Sequence, residues 1–169
     1  MSARTKARKR ALDVLFECEA RGLPIGATLE QRQAAAAADA REPAVMPYVI
    51  ELVQGVAAHQ SRIDEVLTEV SRDWALDRMP AVDRNLLRIG VYEVLWGDDV
   101  PDAVAVSEAV SLATDLSTDE SPGFVNGVLA TIVSDKTTLL QNGLGSGSSS
   151  GGSAAGMTRS GGPDSEGSA

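Results

Sequence analysis

The sequence predicts an all-α protein, a compact helical domain followed by a Gly/Ser-rich tail. Apolar residues recur at helical rather than alternating spacing over roughly the first 135 positions. Aromatic residues make up only 4% of the chain while Ala, Leu and Val dominate, which favours helix packing over a β-sandwich. The composition then changes abruptly: Asn142–Ala169 holds nine of the 16 glycines and eight serines. Such a segment buries too little apolar surface to offset its ordering entropy, so it is expected to be disordered. The domain is expected over residues 1–136 and the tail over 137–169. With 169 residues and 43% hydrophobic content, the chain has enough material for one domain with a real core.

The helices follow in order. Ala7, Ala11, Val14, Leu15 and Cys18 form one face of a first helix from Thr5 to Arg21, stopped by Gly22 and Pro24. Thr28 with Gln31 three residues on reads as a capping box for a second helix through the Ala34–Ala38 run. Pro43 and Pro47 break the chain before an amphipathic helix carrying Val49, Leu52, Val53 and Val56. His59 to Ser61 marks a bend ahead of Ile63, Val66, Leu67 and Val70. The stretch "SRDWALDRMP" has no clean period and reads as a connection ending at Pro80. From Ala81 to Trp96 nearly every face is apolar, the mark of a buried central helix. Val104-Ala105-Val106 passes briefly for a strand, but the pattern to about Leu116 is helical.

The last element of the domain is "SPGFVNGVL", Ser121–Leu129. Its Asn126-Gly127 is a strong hairpin signal, yet the flanking apolar residues follow one side of a helix. Ser121 reads as the N-cap and Pro122 as the first helical residue. A helix carrying glycine in its second turn gives up about 1 kcal/mol against alanine. One account is close approach of another backbone or a ligand at Gly127, with Asn126 supplying hydrogen bonds and Phe124 a stacking face for a base. The other is plain packing, with Phe124 in the core and Gly127 at a tight helix crossing.

The net charge is −9, unevenly placed. Arg4, Lys6, Arg8, Lys9 and Arg10 fall in the first ten residues with no acid, and the rest of the chain carries ten basic against 24 acidic residues. A basic N-terminal arm on an acidic body points to a locally engaged anionic partner. Guanidinium groups grip phosphates bidentately, and such clusters often order on RNA. The single cysteine, Cys18, excludes an internal disulfide, and the single histidine, His59, excludes a His/Cys zinc site. No Gly-rich loop follows a strand, so phosphate and dinucleotide cradles have no scaffold. No catalysis, metal or cofactor is expected. With neither a signal peptide nor an apolar run long enough to span a bilayer, the expected location is the cytoplasm.

Four blocks in this order and spacing, "ARKRALDVLFECEARG" (Ala7–Gly22), "VDRNLLRIGVYEVL" (Val82–Leu95), "DVPDAVAVSEAVSLA" (Asp99–Ala113) and "SPGFVNGVL", resemble the NusB family of transcription antitermination factors. The resemblance covers about residues 4–136. It implies two antiparallel helical bundles that bind the boxA element of nascent ribosomal RNA transcripts together with the ribosomal protein NusE. The assembly joins RNA polymerase and suppresses premature termination. Carried over by position, Arg4, Lys6, Arg8, Lys9 and Arg10 would meet RNA phosphates, with Glu120, Phe124 and Asn126 in the same RNA-facing neighbourhood. Phe16 and Asp83 would face NusE. Phe16 stands where relatives commonly carry tyrosine, and Asp83 and Glu120 differ in carboxylate length from some relatives. Some relatives self-associate through the RNA-facing surface, so a homodimer is a further expectation of the resemblance. The competing readings are a helical protein-interaction module with no RNA role and an RNA-holding domain like that of ribosomal RNA cytosine methyltransferases. The absence of a βαβ pattern or a catalytic cysteine loop after residue 136 speaks against the latter.

Overall fold

The computed structural model describes residues 1–145, and within them every regular element is helical. The order is α1 (Ala3–Ala20), α2 (Ala27–Ala38), α3 (Pro47–Val70), a 3-10 turn at Leu76–Arg78, α4 (Ala81–Trp96), α5 (Asp102–Leu116), α6 (Ser121–Ser134) and α7 (Lys136–Gly145). α1 packs on α2 and α3, and α5 and α6 pack on each other, while α4 touches α1, α3, α5 and α6. The all-round apolar pattern of α4 has its reason there: eleven of its 16 residues are buried. The expected all-α fold stands, with α4 joining the two groups of helices.

Two glycines set how closely the helices approach. A Cβ at Gly55 would strike the Tyr92 ring, and one at Gly90 would lie 2.8 Å from Leu129 Cδ1. The first lets α3 close on α4, the second α4 on α6.

The structure corrects the sequence reading at four places. α3 runs unbroken for 24 residues. No bend occurs at His59 because it continues the inward stripe between Val56 and Ile63, and its ring stacks on Trp96 with centroids 4.1 Å apart. Thr28 does not cap α2. It is buried and accepts a hydrogen bond from the Cys18 thiol at 3.3 Å, while Gly26, at φ 99°, starts the helix. The Val104–Val106 stretch is helical, in keeping with the pattern read to Leu116. Ser121 does not cap α6, since it lies inside the helix and its hydroxyl is engaged elsewhere. Finally, α7 carries helix into the stretch assigned to the tail: Leu139 is buried and Arg62 Nη2 donates to its carbonyl at 3.0 Å. The apolar pair Leu139-Leu140 precedes the shift in composition, so a boundary at 136 falls too early. The rest of the expected tail, 146–169, lies outside the described residues.

Candidate nucleic-acid interface

The basic segment forms the start of α1. Ser2 caps it, its Oγ accepting from the Thr5 amide at 3.1 Å. Once helical, the five cations separate by face. Arg8 points inward and is 3% exposed. Its Nε donates to Glu93 Oε1 at 2.9 Å and Oε2 at 3.2 Å, its Nη1 lies 3.4 Å from Glu108, and the Tyr48 hydroxyl donates to the same Glu93 carboxylate. Burial pushes the Glu93 carboxyl above its ordinary range, opposed by the Tyr48 and Arg8 hydrogen bonds, and burial likewise raises the Tyr48 phenol. Arg8 therefore does not present its charge to a phosphate, contrary to expectation. It sits one turn before Leu12 on the buried stripe of α1, and removing it would strand a buried carboxylate. Arg4 is exposed but tethered, with its guanidinium 5.0 Å from the Tyr48 ring centroid and Nη1 donating to the Asp99 carbonyl at 3.3 Å.

Lys6, Lys9 and Arg10 remain exposed. Lys6, Lys9, Asp13 and Phe16 succeed one another at three- and four-residue steps, so they share one outward stripe. Phe16 is 43% exposed, an apolar ring at the end of a cationic row. Arg10 turns aside to border a 320 Å³ pocket between α1 and α2.

The far end of α1 is held by a network that the sequence reading missed. Glu19 accepts from Arg84 through both guanidinium Nε and Nη2, from Asn85 at 3.2 Å and from Arg88 at 3.1 Å. Arg88 in turn grips Asp64 bidentately at 2.9 and 3.1 Å. The Arg84 hydrogen bond holds the Glu19 carboxyl below its usual range. The network fixes the direction in which the Lys6–Phe16 stripe runs.

Asp83 overturns a second expectation. It is 0% exposed, accepting from Ser117 Oγ at 2.6 Å and Ser121 Oγ at 2.8 Å. It cannot face a partner; it latches the start of α4 to the α5–α6 turn. The latch positions Glu120 and Phe124 on a 660 Å³ cleft whose other wall is the Ser71–Trp74 segment. Trp74 and Phe124 meet edge to face, centroids 4.8 Å apart and planes at 62°. Asn126 does not join them: it lines a separate groove between α5 and α6 with Val106, Val110 and Val133, whereas Gly127 lines the Trp74 cleft. The Asn-Gly pair is thus split across two sides of α6.

The predicted residues therefore do not form one patch. Arg4 and Arg8 cluster near Glu93, while Glu120 and Phe124 lie near Asp83, about 15 Å away along α4. α1 connects these ends, since Arg8 meets Glu93 and Glu19 meets Arg84. Its outward stripe leads from the cations through Phe16 toward the end that holds the aromatic cleft. Trp74 was missed because it lies in an aperiodic connection, where an aromatic amid charged residues was the one available signal.

Residues 5–134 match the sequence profile of the NusB family. The chain belongs to the NusB family. Family members named transcription antitermination protein NusB include one from a Nocardioides species, 60% identical over 139 residues, which span 82% of this chain and 99% of the relative. The NusB of Streptomyces coelicolor is 49% identical over 82% of this chain and 98% of its own length. Among solved structures, T. maritima NusB aligns with a TM-score of 0.66 at 28% identity, covering 83% of this chain and 98% of that one. A chain from the crystal structure of antitermination factors NusB and NusE in complex with dsRNA aligns with a TM-score of 0.64 at 26% identity, over 78% and 96%. No helix among the described residues is long and apolar enough to cross a membrane.

Proposed function

We propose that this NusB-family chain is a non-catalytic, cytoplasmic transcription antitermination factor. It binds boxA RNA of nascent ribosomal RNA transcripts together with the ribosomal protein NusE, and the complex joins RNA polymerase to suppress premature termination. The observation that carries the reading is the outward row Lys6, Lys9, Asp13 and Phe16 on α1, led by its two lysines and ended by its ring, in a chain matched to the family over residues 5–134. Cations and an exposed ring on one helix face suit a strand of phosphates and unpaired bases. Arg8 is removed from the contact set, so Lys6, Lys9 and Arg10 are the principal phosphate ligands, with Arg4 held beside Tyr48. Glu120 and Phe124 belong to the cleft end of the RNA path, Asn126 to the α5–α6 groove, and Phe16 stands where RNA and NusE would meet. Asp83 supports the cleft from beneath.

Titration of boxA RNA across a salt series, with and without NusE, tests this. Three phosphate contacts predict a slope of log affinity against log salt of about −2 for single strands. Replacing Lys9 and Arg10 with alanine should flatten it by about 1.4. A parent protein that ignores boxA at low salt with NusE present would refute the assignment.

A further inference from the structure

α6 carries two glycines on one face, and neither is explained by packing among the described residues. A Cβ placed at Gly123 or Gly127 meets nothing within 4 Å, unlike those at Gly55 and Gly90, which would strike a neighbouring helix. Each glycine lowers helix propensity by about 1 kcal/mol relative to alanine, with no contact among the described residues in return. Both border the same cleft as Trp74 and Phe124. The result is a helix face stripped of side chains beside an inside corner made by two aromatic rings at 62°.

We propose that this cleft receives one unpaired base of single-stranded RNA, with Trp74 as the ring on which it stacks. The inference rests on the RNA-binding reading above and deepens it. A planar base fits a corner of two rings, lying on one and meeting the edge of the other, as aromatic pairs themselves prefer. The bare flank at Gly123 and Gly127 admits the sugar-phosphate backbone, which a β-carbon would hold off. Charge orients the strand: exposed Arg72 at the rim suits a phosphate, whereas Asp73 and Glu120, which border the same cleft, repel phosphate and accept from base N–H groups. A double-stranded RNA keeps its bases stacked and paired and cannot enter.

The test uses the full chain with Trp96→Phe, which leaves Trp74 as the single remaining tryptophan of two. A boxA single strand should quench Trp74 fluorescence, and the same sequence annealed to its complement should not. Trp74→Ala should weaken single-strand binding about tenfold, and Trp74→Phe, which keeps a π-face, by less. Gly127→Ala should raise the melting temperature while weakening binding, a combination that a packing role for the glycine does not produce. Single-strand binding at full affinity with Trp74 unquenched overturns the proposal and leaves the RNA-binding reading intact. Failure of the parent to bind RNA at all overturns both.

Discussion

The Arg8 guanidinium and the Glu93 carboxylate form a buried ion pair, Nε to Oε1 at 2.9 Å, that ties the start of α1 to the end of α4. A charge counted with the phosphate-binding arm is instead part of the scaffold. Arg8→Ala should destabilise the protein by about 3–5 kcal/mol, because Glu93 is left buried and uncompensated. Replacing both, as Arg8→Met with Glu93→Leu, should recover most of that loss. Urea denaturation of the single and double variants measures the difference; equal losses would contradict the pairing.

Glu19 sets a pH dependence. Its folded pKa is lowered by the Arg84 hydrogen bond, so its contribution to stability is present above its ordinary unfolded value and is lost as pH falls through the lower folded value. Glu19→Gln should lower stability at neutral pH and flatten the acid limb of the stability profile. Thermal melts from neutral pH down to the acid transition would show it, and an unchanged limb would exclude the network as its source.

Asp83 acts on the cleft from inside. Asp83→Ala leaves the Ser117 hydroxyl without its acceptor and the Ser121 hydroxyl with only its Ser117 and Thr118 neighbours, at a cost of about 1–3 kcal/mol. Amide exchange in the first turn of α6 should quicken, and RNA affinity should fall because Glu120 and Phe124 lose their support. Asp83→Asn, which still accepts one of the two hydrogen bonds, should fall between. Full RNA affinity in the alanine variant, with exchange accelerated, would separate the latch from the cleft.

The end of the domain is testable by truncation. Ending the chain after Asp135 removes buried Leu139 and the hydrogen bond it accepts from Arg62, and the melting temperature should drop. Ending it after Gly145 should leave the melting temperature unchanged. Equal melting of both forms would return the boundary to 136.

The legible parts of the fold were those written in local periodicity. α4 was read from Ala81 to Trp96 because no face of it is polar enough to meet water. The inward phase of His59 was also present in the spacing, but the polarity of the His-Gln-Ser stretch suggested a bend. Arg8 shows the same conflict: its position marks the buried stripe, its charge marks the surface, and the partner that decides between them lies 85 residues downstream. Asp83 was illegible for that reason, since the serines that bury it lie 34 and 38 residues away. Of the candidate site, the outward cations and the exposed Phe16 were readable from α1 alone. The Trp74 wall was not, because a connection without a period leaves the direction of its side chains undetermined.

The direct test of the central claim is the salt dependence of boxA RNA binding, with NusE present, for the parent and for a Lys6→Ala, Lys9→Ala, Arg10→Ala triple variant of intact helicity. The parent should give a slope of about −2 and the triple variant a slope near zero. A triple variant that keeps the parent's slope would show that the exposed cations of α1 do not hold the strand.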